Sequence, residues 1–342
     1  MSKLSYTLNE ILGQPAALKA ILKEVELKRS KLLELFERKP SDVIFVGCGS
    51  SYYLALSASS VFRELVKVNA IGLPSSEVFL YPTTLSESTL LVSISRSGET
   101  TETILATKFA KQEKKAKVLA VTCYEESELA KISDVKIISH KGKEKSIVMT
   151  KSFTSMLMGA QAVSAVLSKK EQFYKGLSTL PEICETIIKE NNSLAKEIGE
   201  DSSLKKFVFL GSGPLYGVAC ESMLKMKEMA LAWSEAYHSL EFRHGPKSIV
   251  DPETLVVFLL SDSARSYEVN LVEEVRSLGA KVLAICEKPV DSEYTVEIRS
   301  DFNDFLRAPL YMPITQLLAY YKAVSRGLNP DVPKKLSQVV RL

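Results

Sequence analysis

Six consecutive residues, Ser95-Arg96-Ser97-Gly98-Glu99-Thr100, put three hydroxyls, a guanidinium and one glycine into a single turn. Such a set of donors suits an anion with several oxygens, above all a phosphate. The flanks set the geometry. Leu90, Leu91 and Val92 form a short apolar run of the kind found in a buried strand. From Thr100 a helical pattern begins, with Ile104, Leu105 and Phe109 on one face. A strand, a turn and a helix start aim free N–H groups and the positive end of a helix dipole at one point. Capping alone is the competing explanation, because Ser and Thr are common N-caps. A cap needs one hydroxyl, whereas four polar side chains crowd this turn.

A second turn has related chemistry. Val43-Ile44-Phe45-Val46 reads as a strand, and Gly47-Cys48-Gly49-Ser50-Ser51 leads from it into a helix over Ser51–Leu65. The glycines allow a tight turn and close backbone approach. Gly-x-Gly is also compatible with a plain strand-to-helix connection, and the third glycine of a dinucleotide fingerprint is missing. Acid–base candidates lie further on. Lys225 and Glu228 are three apart on a pattern predicting a helix over Glu221–Trp233, and so share a face. By default such a pair is a surface ion pair of a few tenths of a kcal/mol, as an order of magnitude. His244, bracketed by Arg243 and Gly245-Pro246, falls in a loop. Histidine is the usual proton carrier near neutral pH, although a loop histidine is commonly structural or solvated.

These groups need positioning, and the chain supplies alternating elements. Helices are expected over residues 7–38 with a break at Gly13-Gln14-Pro15, then strands at Val43–Val46, near Ala70–Leu73 as an edge, and at Leu90–Val92, Lys117–Thr122 and Val135–Ile138. A loop is expected at Pro74-Ser75, and helices over Thr100–Gln112, from Ser127, over Ser152–Leu167 and over Leu180–Ile198. Gly199-Glu200-Asp201-Ser202-Ser203 reads as a linker. The pattern then recurs. Phe207–Gly213, Thr254–Val257 and Lys281–Ile285 echo Val43–Gly49, Thr89–Val92 and Lys117–Val121 at offsets of 164, 165 and 164 residues. Near-constant offsets predict two copies of one α/β unit, each a parallel sheet with helices on both faces. The second copy has Leu260-Ser261-Asp262-Ser263 in place of Ser95-Arg96-Ser97-Gly98. An aspartate there repels phosphate, so the anion site is expected in the first copy only.

Composition narrows the function classes. The chain has 342 residues, net charge +3 and 46% hydrophobic residues. That is the make-up of an ordinary globular protein, with too little charge bias to argue for nucleic acid or a membrane surface. No apolar run approaches the roughly 20 residues that span a bilayer. Met1-Ser2-Lys3-Leu4 lacks the apolar core of a signal peptide. Cys48, Cys123, Cys184, Cys220 and Cys286 are odd in number and without zinc-site spacing. Reduced cysteines in a cytoplasmic protein are expected. His140, His238 and His244 are too scattered for a histidine-rich metal site, and no metal or cofactor is called for.

The motifs together resemble the tandem sugar-isomerase (SIS) domain proteins. The likeness runs through Gly47–Ser51, Ser95–Thr100, Thr150-Lys151-Ser152-Phe153-Thr154, Leu224-Lys225-Met226-Lys227-Glu228, Glu235-Ala236-Tyr237, His244-Gly245-Pro246 and the tail from Asn329 to Val340. It is strongest to the isomerase half of glucosamine-6-phosphate synthase and to stand-alone SIS-type glucosamine-6-phosphate deaminases. The resemblance implies two flavodoxin-like α/β/α sandwiches. It divides the chain into a helical segment 1–40, a first SIS domain 41–170, a helical linker 171–203, a second SIS domain 204–328 and a tail 329–342 over the active site. It implies that Ser51, Ser95, Arg96, Ser97 and Thr100 hold a sugar phosphate, with Cys48, Gly49, Ser50 and Gln338 near the substrate. Glu228 would move a proton between C1 and C2. His244 would assist ring opening from the partner subunit of a homodimer with shared sites. Lys225 would tune Glu228 or touch the sugar.

Two departures give direction. Arg96 stands where synthases carry glutamine, which adds positive charge. Gln338 stands where synthases carry the lysine that forms an imine with fructose 6-phosphate, and glutamine cannot form one. With the isomerase-like part starting directly after Met1-Ser2-Lys3, neither a glutaminase nor an internal ammonia source is expected. The resulting expectation is conversion of glucosamine 6-phosphate and water to fructose 6-phosphate and ammonia. The alternatives are galactosamine 6-phosphate deamination, to which Glu241–Lys247 also looks similar, another phosphosugar ketose–aldose isomerisation, a non-catalytic phosphosugar sensor, and a synthase isomerase subunit.

Overall fold

The computed structural model describes residues 5–81 and 85–338. Three helices open the chain, α1 (Tyr6–Leu12), α2 (Gln14–Leu27) and α3 (Arg29–Leu35). The breaks fall at Gly13 and Lys28, and Pro15 sits in the first turn of α2, where its missing N–H has no helical partner to lose. The first sheet then alternates β1 (Asp42–Gly47), α4 (Ser50–Val66), β2 (Asn69–Pro74), α5 (Ser75–Leu80), β3 (Thr89–Ile94), α6 (Thr101–Gln112), β4 (Lys117–Thr122), α7 (Glu128–Ile132) and β5 (Val135–Ile138). Helices α8 (Lys151–Leu167), α9 (Glu171–Leu177) and α10 (Leu180–Glu200) follow. The second sheet brings β6 (Lys206–Gly211), α11 (Pro214–Ala230), β7 (Trp233–His238), β8 (Thr254–Leu259), α12 (Arg265–Ser277), β9 (Lys281–Cys286) and β10 (Tyr294–Glu297). Two further helices, α13 (Asp304–Arg307) and α14 (Met312–Ser325), complete the series among the described residues.

The strand orders are β2-β1-β3-β4-β5 and β7-β6-β8-β9-β10, every neighbouring pair being parallel. The same order twice confirms the repeat seen in the strand offsets. Each sheet reverses direction of winding between its first and third strands, at β1/β3 and β6/β8. In open parallel sheets a ligand binds at such a switch point, beyond the carboxyl ends of the strands. The inner strands are apolar throughout because both faces are covered; every residue of β3 and of β8 is buried. In the first sheet, Ile44, Val46, Leu91 and Val118 pack on Ala106 and Ala110 of α6. In the second, Val208, Val256, Phe258 and Val282 pack on Leu271, Val272 and Val275 of α12.

The chain divides into two compact units. Among the described residues, one comprises 13–81, 85–144, 149–181 and 337–338; the other comprises 5–12, 145–148 and 182–336. Within the latter, α1 is tied in by Asp331, whose carboxylate accepts from the Tyr6 and Thr7 amides and the Thr7 hydroxyl.

Three local expectations differ from what is seen. Pro74-Ser75 is not a loop: Pro74 ends β2 and Ser75 starts the six-residue α5, too short to show a period. Gly199 and Glu200 are not linker residues but the last turn of α10. A Cβ on Gly199 would lie 2.7 Å from Tyr321 Cβ of α14, so the glycine serves close packing. The helix expected over Glu221–Trp233 starts earlier, at Pro214, and stops at Ala230. Leu231 takes the left-handed conformation there (φ +49°), and Trp233 begins edge strand β7.

Candidate functional site

The first switch point carries both hydroxyl-rich turns. Strands β1 and β3 pair with Val46 opposite Ser93, so Gly47–Ser51 and Ser95–Thr100 emerge side by side at the same end of the sheet. The first turn is tight: a Cβ on Gly47 would lie 2.4 Å from the Ser51 carbonyl carbon, and Gly49 has φ +54°. Ser50 and Ser51 are buried in the first turn of α4. Cys48 is half-buried, 3.8 Å from the Thr103 hydroxyl, and burial raises its pKa, which makes it a neutral thiol at pH 7.

The second turn is held by its own hydroxyls. Ser95 Oγ accepts from the Gly98 amide at 3.1 Å and lies 3.1 Å from Thr100 Oγ1. Ser97 Oγ accepts from the Glu99 amide. Thr100 is the N-cap residue of α6, yet its hydroxyl makes no cap bond. The hydroxyl faces Ser95 instead, which speaks against capping as the reason for the cluster. Gly98 has φ +67°, and a Cβ there would lie 2.2 Å from Ser127 Oγ, the cap of α7.

Arg96 differs from a free phosphate-binding cation. It is buried, and its Nη1 donates to Glu144 Oε2 at 3.2 Å. Its Nη2 donates to the main-chain carbonyl of Gln338 at 3.3 Å. The charge that Arg96 brings is therefore balanced by Glu144, a residue that no sequence pattern singled out. A cavity of about 390 Å³ opens beside this turn, lined by Arg96, Ser97, Tyr124, Ser127 and Gln338 among others.

The second switch point is already filled. Glu268 of α12 is fully buried, and its carboxylate accepts from Ser212 Oγ (2.7 Å), the Ser261 amide (2.8 Å) and Ser261 Oγ (3.1 Å). An internal anion thus occupies the place where the first copy offers hydroxyls. Asp262, expected to repel phosphate, is itself neutralised: Arg307 grips both its oxygens at 2.6 and 2.9 Å. Glu268, not Asp262, is the carboxylate bonded to both turns at the second switch point.

The acid–base candidates lie in the other unit, on α11 and after β7. Lys225 is fully buried, not on the surface. Its Nζ lies 3.1 Å from Glu221, also fully buried, and pairs with Glu228, which is 19% exposed. Burial opposes charge on Lys225, but the two carboxylates outweigh it and its pKa is raised. The lysine is a fixed cation against which Glu228 is held. His244 is exposed, just past the 3-10 turn Glu241–Arg243, with Gly245 at φ +115° behind it. A further pair escaped sequence reading: His238 stacks on Tyr216 at 3.7 Å between ring centres, where the ends of β7 and α11 meet. The two are 22 positions apart on different elements, so no periodicity links them. Among the described residues no cluster of His, Cys, Asp and Glu could hold a metal, and no helix is long and apolar enough to cross a membrane.

Two parallel sheets of identical strand order, one switch point lined by hydroxyls and the other occupied by Glu268, define a tandem α/β protein. Residues 35–165 and 202–325 match the SIS domain family, and the chain belongs to it. Among curated relatives, the isomerizing glutamine–fructose-6-phosphate aminotransferase of Thermococcus kodakarensis is 31% identical over 351 residues, covering 98% of this chain and 58% of that protein. The chain spans somewhat over half the length of such relatives. A solved glucosamine-6-phosphate deaminase of Thermotoga maritima is 35% identical, covers 99% of this chain and 100% of that one, and superposes with a TM-score of 0.82. A tagatose-6-phosphate ketose/aldose isomerase of Escherichia coli is 27% identical, with coverages of 97% and 96% and a TM-score of 0.88.

Proposed function

We propose that the protein is an amino-sugar phosphate deaminase/isomerase that converts glucosamine 6-phosphate and water to fructose 6-phosphate and ammonia. The turns Gly47–Ser51 and Ser95–Thr100 hold the phosphate. Once the sugar ring has opened, with His244 of the partner subunit assisting in a homodimer, Glu228 removes the C2 proton. The electron pair moves to make an enolamine as the C1 carbonyl oxygen takes up a proton from water, and the same carboxylate returns the C2 proton to C1 as the nitrogen gives up a proton to water. The product is a C2 imine, which water hydrolyses to the ketone and ammonia. A positioned base of this kind contributes about 10²- to 10⁴-fold in rate. Holding the phosphate turns remote binding energy into positioning of the sugar.

Gln338 carries the choice of deamination over synthesis. Its carbonyl meets Arg96 at the anion turn, and its side chain cannot form the imine that the synthase lysine makes. The likeness to the Thermotoga maritima deaminase supports the same choice. The curated relatives favour a second reading, the isomerase half of a synthase. The test is ammonia release from glucosamine 6-phosphate and, in parallel, from galactosamine 6-phosphate. Faster turnover of the galacto sugar reassigns the epimer. Turnover only of fructose 6-phosphate with added ammonia favours the synthase reading, and phosphate binding with no turnover favours a sensor. Glu228→Gln is expected to lower ammonia release by about 10²-fold or more; normal turnover in that variant rejects the base.

A further inference from the structure

We propose that Glu144 positions Arg96 as a fork, one arm fixed in the protein and the other shared between the C-terminal tail and the bound anion. The inference rests on the anion-site part of the reading above, not on deamination.

Glu144 has no exposed side-chain surface. Its Oε1 accepts from the Thr150 amide (2.6 Å), the Thr150 hydroxyl (2.8 Å) and the Ser152 amide (3.0 Å). Its Oε2 accepts from Ser152 Oγ (2.6 Å) and Arg96 Nη1 (3.2 Å). Among the described residues Arg96 is the cation that pairs with it. The carboxylate is thus bolted to the start of α8 by four neutral donors and presents its remaining capacity to one guanidinium. A guanidinium has five N–H donors in a rigid plane. Fixing one edge on Glu144 fixes the plane and aims the other edge.

That other edge is weakly committed. Nη2 reaches the Gln338 carbonyl, a neutral acceptor, at 3.3 Å, and Gln338 Nε2 reaches back to the Glu144 carbonyl at 3.4 Å. Both bonds are long for N–H···O. A phosphate dianion is a stronger acceptor than a carbonyl. A phosphate on the Ser95–Thr100 turn can therefore draw on an arginine whose rotamer is already set, while the tail stays within reach of the same group. Glu144 acts through Arg96, and it is a positioning residue.

The experiment measures inorganic phosphate binding by calorimetry for the wild-type chain, Glu144→Gln, Arg96→Gln and the double variant. Losing a pre-set side chain is expected to weaken phosphate about tenfold in Glu144→Gln. The double variant is expected to bind no more weakly than Arg96→Gln alone. With substrate, the loss in kcat/KM falls on KM. A role confined to capping α8 predicts instead a lower melting temperature with phosphate affinity within twofold, or effects of the two substitutions that multiply; either result overturns the proposal. Should Glu144→Gln not fold, Arg96→Lys decides, since it keeps the charge but cannot fork: affinity within twofold of wild type overturns the proposal. A wild-type chain that binds no phosphate overturns this inference and the anion site together. Phosphate binding without ammonia release leaves the inference standing and removes only the deaminase reading.

Discussion

Lys225→Met takes the cation out of a site that keeps its carboxylates. Lys225 Nζ lies 3.1 Å from the fully buried Glu221 and also pairs with Glu228. Two unit charges about 4 Å apart interact by about 4 kcal/mol at an effective dielectric constant of about 20. Breaking a buried pair by removing one partner costs about 3–5 kcal/mol, because the other is left buried without that counter-charge. Methionine fills similar space, so a cavity adds little. Trp233, the single tryptophan, begins β7 in the same unit and reports on its unfolding by fluorescence. With a urea slope of about 1–3 kcal/mol per molar, the midpoint is expected to fall by at least about 1 M. Because the pKa of Lys225 is raised, its contribution is complete below the unfolded value of about 10.4 and is lost only as pH rises through the higher folded value. The contribution of Lys225 to the wild-type chain is therefore complete from about pH 6 to 9. A midpoint within about 0.3 M of wild type would refute the view of Lys225 as a buried clamp on two carboxylates.

Two more substitutions probe the anion turn. Thr100→Val removes a hydroxyl that makes no cap bond. It is expected to weaken phosphate binding about tenfold, as for a lost bond to a charged group; unchanged affinity with a helix-capping loss of about 1 kcal/mol would restore the capping explanation. Gly98→Ala puts a methyl 2.2 Å from Ser127 Oγ at φ +67°. A stability loss of about 1–3 kcal/mol is expected, and an unchanged thermal midpoint would show that the turn is not fixed against α7.

The sequence by itself determined the repeat and the turns. Inner strands are buried on both faces, so they read as unbroken apolar runs, and their near-constant offset carried through to two sheets of one winding order. The short, half-exposed edge strand β7 and the six-residue α5 were not legible, because neither has enough buried residues to print a period. The spacing of Lys225 and Glu228 was visible too. Their burial was not: α14 packs on α11, with Ser222 Oγ bonded to Thr315 Oγ1 at 2.9 Å. Only tertiary structure decided how the charges are matched. Arg96 meets Glu144 across 48 residues and the Gln338 carbonyl across 242, and Glu268 plugs the second switch point from a helix of its own. Periodicity says which face of an element is inside. Which polar atoms meet there is set by where loops and helix starts converge beyond the strand ends, and one-dimensional spacing does not encode that.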